Sequence, residues 1–380
     1  METYRRWPVE LTSGSGATLI DAHGRSYLDL VAGIAVTSVG HAHPKVAAAI
    51  AEQAGRLVHV SNLYRTGPQE ELAERLADLT GGMRAFFCNS GAEAIECALK
   101  LSRKWGSTNR GPGATRVIAA EGSFHGRTFG ALAATGQPEK QAAFAPMLEG
   151  FTHVPFGDAA ALAKAMAQDV VAVLLEPIQG EAGVVVPPEG YLQTARVLCD
   201  EYDSLLVLDE IQTGLGRTGK WFAHEHYGVT PDVLCVAKAL AAGLPMGSCL
   251  AAPEVAATFG HGDHATTFGG GPVQSAAALA TLDVIESEKL LSRAVIAGRR
   301  LGDGLGAIFG SRCEVRGLGL LLAVELDEPS ARDFVGRALE RGVLVNNATE
   351  SVLRFTPPLV ITDQEIDRAL EIIAEIWDEI

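Results

Sequence analysis

Two stretches leave this chain little architectural freedom. "VVAVLLEPI", residues 170–178, and "LLVLDEI", residues 205–211, are almost uninterrupted apolar runs, and between them "YLQTARVLCDEYD" repeats its apolar residues at helical spacing. A strand that is apolar on both faces must be covered on both, and strands joined through helices run parallel. The same alternation opens earlier, where "RAFFC" reads as a strand, "NSGAE" as a turn and "AIECALKLSRKWG" as a helix. The expected fold class is α/β, a mainly parallel sheet with helices on both faces.

Other segments read in the same terms. A hairpin is expected around His23-Gly24, and a helix from Pro68 to Leu79 behind Thr66 as cap. One long helical pattern runs from Val273 to about Leu301, and a short α+β section from "RGLGLLLAVEL" to "EIDRALEIIAEIWDEI" ends the chain. At 380 residues and 47% hydrophobic, the chain is long enough for two packed subdomains. The formal net charge of −15 argues against nucleic acid or an anionic membrane as partner and favours small molecules. Six cysteines without a CxxC pair suit buried thiols in a reduced cytoplasm. Neither a signal peptide nor a membrane span is expected.

Some motifs mislead. "GLGRTGK", Gly214 to Lys220, matches both G-x-G-x-x-G and G-x-x-x-x-G-K. A dinucleotide fingerprint must follow a strand directly and open a helix, but "DEIQT" intervenes; a phosphate loop needs Ser or Thr after the lysine, where Trp221 stands. The pairs His41/His43 and His224/His226 have i,i+2 spacing, which does not suit a metal, so no metal is expected.

The informative signals lie at strand ends, where open α/β sheets bind ligands. In "CNSGAE", Asn89 or Ser90 can cap the following helix, Gly91 permits close backbone approach, and the helix start offers free N–H groups to an anion. Asp209 ends an apolar strand. Lys238 is the only charged residue between Asp232 and Pro245. The bland reading is a buried Asp209–Lys238 ion pair. The other is pyridoxal 5′-phosphate, whose aldehyde needs a lysine of depressed pKa, whose pyridine nitrogen needs a carboxylate, and whose phosphate needs a helix N-terminus. Desolvation of Lys238 would supply the neutral amine.

These residues stand in longer motifs: "FCNSGAEA", "FHGRT", "LEPIQGE", "LDEIQTGLGRTGKWFAHEHYG", "AKALAAGLP", "TTFGG" and "LRFTPPL". Together they make the chain resemble, over nearly its whole length, the class III, fold-type I pyridoxal-phosphate aminotransferases, and within them the acetylornithine aminotransferases. The resemblance implies a smaller α+β domain built from N- and C-terminal parts, with 1–60 and 273–380 flanking a large cofactor-binding domain at 61–272. It implies Lys238 as the cofactor-binding and catalytic lysine, Asp209 on the ring nitrogen, Glu210 and Gln212 nearby, and Phe124 on the ring face. Ser90, Gly91 and Ala92 would hold the phosphate, and Thr267 would reach it from a partner subunit, making a homodimer. Arg127 would grip the carboxylate of N2-acetylornithine and Arg354 that of glutamate or 2-oxoglutarate, with Thr266 lining the path. Glu181 would cover Arg354 while the ω-amine donor is bound. The implied reaction moves the δ-amino group of N2-acetyl-L-ornithine to 2-oxoglutarate, reversed in arginine biosynthesis; N-succinyl-diaminopimelate, succinylornithine or 4-aminobutyrate are the alternative donors. Departures are Gly271 where Asn is usual, Ala265 where Gly is usual, and Ala241–Gly243 in place of a more glycine-rich run. Ile34 stands where ornithine δ-aminotransferases carry tyrosine, which favours an acylated donor.

Overall fold

A computed structural model describes residues 1–379. At the N-terminus, β1 (Leu11–Ser15), β2 (Thr18–Asp21) and β3 (Ser26–Asp29) form an antiparallel meander, with Gly24 at φ +80° in the turn between β2 and β3. The large sheet holds seven strands: β4 (Arg84–Cys88), β5 (Arg116–Ala120), β6 (Phe151–Val154), β7 (Val170–Leu175), β8 (Leu205–Asp209), β9 (Val233–Val236) and β10 (Gly247–Ala251). Their order is β4-β10-β9-β8-β7-β5-β6, and β10 runs antiparallel to both neighbours while the rest are parallel. Every residue of β7 and β8 is buried, as their unbroken apolar runs require. Each such Val or Leu contributes about 1.5–3 kcal/mol on leaving water, so the centre of this sheet is a rigid platform.

The C-terminal part adds β11 (Glu314–Leu318), β12 (Leu321–Glu325), β13 (Val343–Leu344), β14 (Asn346–Asn347) and β15 (Val352–Phe355). Four of them form the sheet β11-β12-β15-β14, while β13 pairs in parallel with β3, so the two ends of the chain share one sheet. The final helix, Asp363–Trp377, starts from a Thr362–Glu365 capping box and buries Ile366, Ile373 and Ile376.

Two local expectations need correction. The pattern from Val273 to Leu301 is two helices, Pro272–Ser287 and Leu290–Phe309, broken where Lys289 turns left-handed at φ +55° so that Leu290 can be buried. Thr66 precedes the Gly67–Leu79 helix but does not cap it: its hydroxyl is buried without a partner, and proline supplies the helix start instead.

Candidate active site

A cavity of about 420 Å³ opens at the carboxyl ends of β4, β8 and β9. Its floor is the start of the Gly91–Asn109 helix. Ser90 is the cap: its Oγ accepts the Glu93 N–H at 3.2 Å, while the Glu93 carboxylate accepts the Asn89 backbone N–H at 2.7 Å and side-chain amide at 2.8 Å. Being first in the helix, the Gly91 and Ala92 N–H groups have no carbonyl one turn back and form an anion cradle. Gly91 is required there, because a Cβ would lie 2.7 Å from Cδ1 of Ile211 in the loop after β8.

Asp209, 4% exposed, ends β8 facing the cavity. Its Oδ1 accepts the Ile211 N–H at 3.0 Å, and its Oδ2 lies 2.8 Å from Nδ1 of the buried His125. The simple Asp209–Lys238 ion pair is therefore not formed. Lys238 follows β9 at φ +30°, a strained conformation for a side-chain-bearing residue, and its amine also faces the cavity. Burial pushes its pKa down to about 8, while Glu181 pulls it up and Arg354 pushes it down.

Arg354, 1% exposed, projects from β15 with its guanidinium fully engaged. It donates to Oε1 of Glu181 at 2.5 Å, to the Gly180 carbonyl at 3.1 Å, to Oε1 of Gln212 at 3.1 Å and to Oδ1 of Asn346 at 2.6 Å. Burial raises the Glu181 carboxyl, but Arg354 and then Lys238 outweigh it, and its pKa is lowered. At the rim Arg127 is exposed, its guanidinium 5.5 Å from the Phe124 ring centroid, and no carboxylate of the described residues pairs with it.

The cavity thus gathers Ser90, Gly91, Ala92, Phe124, Arg127, Glu181, Asp209, Gln212 and Lys238, and Arg354 adjoins it through Glu181 and Gln212. Others lie elsewhere. Glu210 turns into the protein, where its carboxylate accepts from the backbone of Ala223 and His224 and the hydroxyl of Thr213. Alternation along the chain sends its side chain opposite to that of Asp209. Thr266 and exposed Thr267 sit with Asn62 and Gln69 at separate surface hollows. Ile34 belongs to a turn in which Ala32, Gly33, Ile34 and Ala35 are all left-handed, and Val36 lines the cavity instead. Gly271 leaves the Pro272–Ser287 helix without a side-chain cap, and Ala242 takes φ +48° where glycine would be unstrained.

The decoys have structural roles. In "GLGRTGK", Arg217 is buried and donates to the carbonyls of Leu320 and Pro357 and to Ser38, fastening the loop to the rest of the fold. His41 pairs with Asp29, His43 with Glu288 and His224 with Glu210, while His226 contacts Thr218. No group of three metal-ligating side chains occurs among the described residues.

Two residues were missed. One is His125, partner of Asp209. The other is Glu176, which follows β7 directly, much as Asp209 ends β8, and lines the cavity; it accepts the N–H groups of Phe124 at 3.1 Å and Gly180 at 3.4 Å. Burial, reinforced by Asp209, raises its pKa well above the carboxylate range.

Pyridoxal 5′-phosphate fits this donor set. The cradle suits its phosphate, the buried carboxylate of Asp209 a protonated ring nitrogen, the desolvated amine of Lys238 its aldehyde, and Phe124 its ring face.

Comparison with known proteins agrees. The family Aminotransferase class-III matches residues 2–377. The acetylornithine aminotransferase of Methanothermobacter thermautotrophicus is 48% identical over all of this chain and 96% of its own, and that of Mycobacterium tuberculosis is 49% identical, over 94% of its own length. Among solved structures, the N-acetylornithine aminotransferase of Stenotrophomonas maltophilia is 40% identical with a TM-score of 0.87, covering all of this chain and 98% of that one. The ornithine aminotransferase of Toxoplasma gondii is 37% identical with a TM-score of 0.96, covering 100% and 92%. The chain belongs to the class-III aminotransferase family, whose members work with pyridoxal 5′-phosphate.

Proposed function

We propose that this protein transfers the δ-amino group of N2-acetyl-L-ornithine to 2-oxoglutarate, giving N-acetyl-L-glutamate 5-semialdehyde and L-glutamate, the reverse of the direction used in arginine biosynthesis. The observation that carries this reading is the pair of unequal arginines around Lys238: Arg127 exposed at the rim and unpaired among the described residues, Arg354 buried and covered by Glu181 at 2.5 Å. An ω-amine donor with a distant carboxylate suits the first. A 2-oxo acid must reach the second, and Glu181, on a loop and 27% exposed, is the group that has to move.

The cofactor, when bound, takes up the electron pair released as a substrate C–H bond breaks. Gly91 and Ala92 N–H groups would hold its phosphate, Asp209 its ring nitrogen and Phe124 its ring face, while Gln212 would lie beside the ring's oxygen. Asp209 stays oriented because His125 and the Ile211 N–H fix both of its oxygens. Lys238 would hold its aldehyde. Once free of it, Lys238 as a neutral amine removes a proton from the amine-bearing carbon of the donor, Cδ of acetylornithine, as general base. Arg127 binds the donor carboxylate and so sets the distance between that end and Lys238. In the second half-reaction Glu181 leaves Arg354, whose planar fork takes the 2-oxoglutarate carboxylate bidentately.

Lys238 must be uncharged to capture the aldehyde. Because burial lowers its pKa to about 8, uptake of pyridoxal 5′-phosphate by the cofactor-free protein should accelerate as pH rises through that value. An ordinary lysine would give a midpoint of about 10.4. Stopped-flow absorbance across the range spanning both values distinguishes the two.

Exposed Thr267 and Phe268, with exposed Leu63 and Tyr64, support a homodimer in which Thr267 completes the partner's phosphate site and Thr266 its substrate path. We place the large domain at 61–272 and the small one at 1–60 and 273–380. The six free thiols suit the cytoplasm, and no described helix is long and apolar enough to cross a membrane. The reading is tested by the rate of glutamate formation from 2-oxoglutarate with a panel of donors. N2-acetylornithine should exceed ornithine and 4-aminobutyrate by about tenfold or more, the scale on which one unmet charged contact discriminates. Faster turnover of succinylornithine or N-succinyl-diaminopimelate would move the assignment to those donors.

A further inference from the structure

Three features fix the backbone on either side of Arg127, and all three lead to the helix that forms the anion cradle. On one side, Gly126, at φ +135°, lies so close to that helix that a Cβ would sit 2.7 Å from Cβ of Ala92. On the other, a single oxygen of Glu96, in the second turn of the same helix, accepts three hydrogen bonds: from the Thr128 hydroxyl at 2.6 Å and from the N–H groups of Gly130 at 2.8 Å and Ala131 at 3.1 Å. Thr128 is the cap residue of the short Phe129–Ala134 helix but does not cap it with its own side chain; its hydroxyl donates to Glu96, which performs that task from outside. Third, Gly130 has no side chain for a steric reason. A Cβ there would lie 2.3 Å from Oε2 of Glu96.

We infer that Glu96 is a positioning residue for the amino donor: by clamping the 128–131 backbone to the cradle helix it fixes the reach from Arg127 to Lys238, and so the length of donor accepted. This rests on the assignment of the donor carboxylate to Arg127. The Arg127 guanidinium has no ion-pair partner among the described residues to hold it, so its placement depends on the backbone from which it springs. Arg354 comes from β15 and is held by Asn346, Gly180 and Gln212, none of which Glu96 touches. Loss of the clamp should therefore weaken one substrate and spare the other, which a general loss of folding would not do.

The test compares Michaelis constants of the cofactor-loaded enzyme for N2-acetylornithine and for 2-oxoglutarate. Glu96→Ala should raise the KM for acetylornithine about tenfold and leave that for 2-oxoglutarate within about twofold, since small displacements of a positioning group cost this much or more. Glu96→Gln keeps an acceptor oxygen and should rescue donor KM to within about threefold of the parent, and Thr128→Val, which loses one of the three bonds, should raise donor KM alone by about threefold. If both constants rise together, or neither moves, the inference fails; should Glu96→Ala not fold, the same comparison on Thr128→Val decides the matter. Arg127→Met separates the two layers. An unchanged donor KM in that variant overturns the Arg127 assignment itself, whereas a raised one beside unaffected Glu96 and Thr128 variants overturns the clamp alone.

Discussion

Replacing Lys238 by alanine should lower glutamate formation by about 10⁴-fold or more, because in the proposed mechanism one side chain both retains the cofactor and moves the proton, and general-base transfer alone is worth roughly 10²–10⁴. No neighbouring group substitutes for it. Glu181 is held by Arg354 while the donor reacts, Asp209 is held by His125 and Ile211, and the Glu176 carboxyl, its pKa raised by burial, is occupied by the N–H groups of Phe124 and Gly180. The cofactor should be affected as much as the rate: borohydride should fix it to the parent chain and not to the variant. The cofactor-free variant should be no less stable than the parent at neutral pH. In the parent Lys238 has its pKa lowered to about 8 in the fold, below its value in the unfolded chain, so the unfolded state binds protons more tightly. That penalty is fully present below the folded pKa and fades as pH rises towards the unfolded value. Alanine removes it. A variant that kept more than about a hundredth of parental activity would move the proton-transfer role to another group.

Arg354→Ala should divide the two half-reactions. Binding of 2-oxoglutarate should weaken about a hundredfold, roughly 3 kcal/mol, within the range for truncating one partner of a buried hydrogen-bonded charge pair. Reaction with acetylornithine should change by less than about threefold, because we assign the donor carboxylate to Arg127. Arg354→Lys should not rescue it, since a point charge cannot reproduce the fork that reaches Asn346, Gly180 and Gln212 together. Glu181→Ala should act in the opposite sense, tightening 2-oxoglutarate by uncovering Arg354. Single-turnover titrations of each half-reaction read these effects separately. Equal losses in both halves for Arg354→Ala would mean that the residue only supports the fold.

What the sequence disclosed, and what it withheld, follows from where the information lies. The central sheet was legible because strands buried on both faces must be apolar throughout, and β7 and β8 are. Lys238 and Asp209 stood out as charges in apolar surroundings, and the resemblance to the class III aminotransferases added Phe124, Arg127, Glu181, Gln212 and Arg354, which the fold brings to or beside the same cavity. Glu176 carried the same local sign as Asp209, an acid at the end of an apolar strand, yet "LLEP" was valued only as part of a motif. His125 sat inside "FHGRT", but its contact with Asp209 spans 84 positions, and no local pattern encodes it. The clamp at Glu96 was hidden for the same reason: an acid on a helix face looks solvated until the loop it holds is seen. Glu210 was carried along with its neighbour, although adjacent residues leaving a strand point to opposite sides. The break at Lys289 escaped because the Ala- and Leu-rich segments on both sides of it favour helix, and only the left-handed residue between them parts them.

The most direct measurement is the visible spectrum of the purified protein loaded with pyridoxal 5′-phosphate, recorded as N2-acetylornithine, or ornithine at the same concentration, is added without an acceptor. Acetylornithine should bleach the yellow band, ornithine should leave it nearly unchanged, and 2-oxoglutarate should then restore it. Bleaching by ornithine at least as readily as by acetylornithine, or a band indifferent to both, would contradict it.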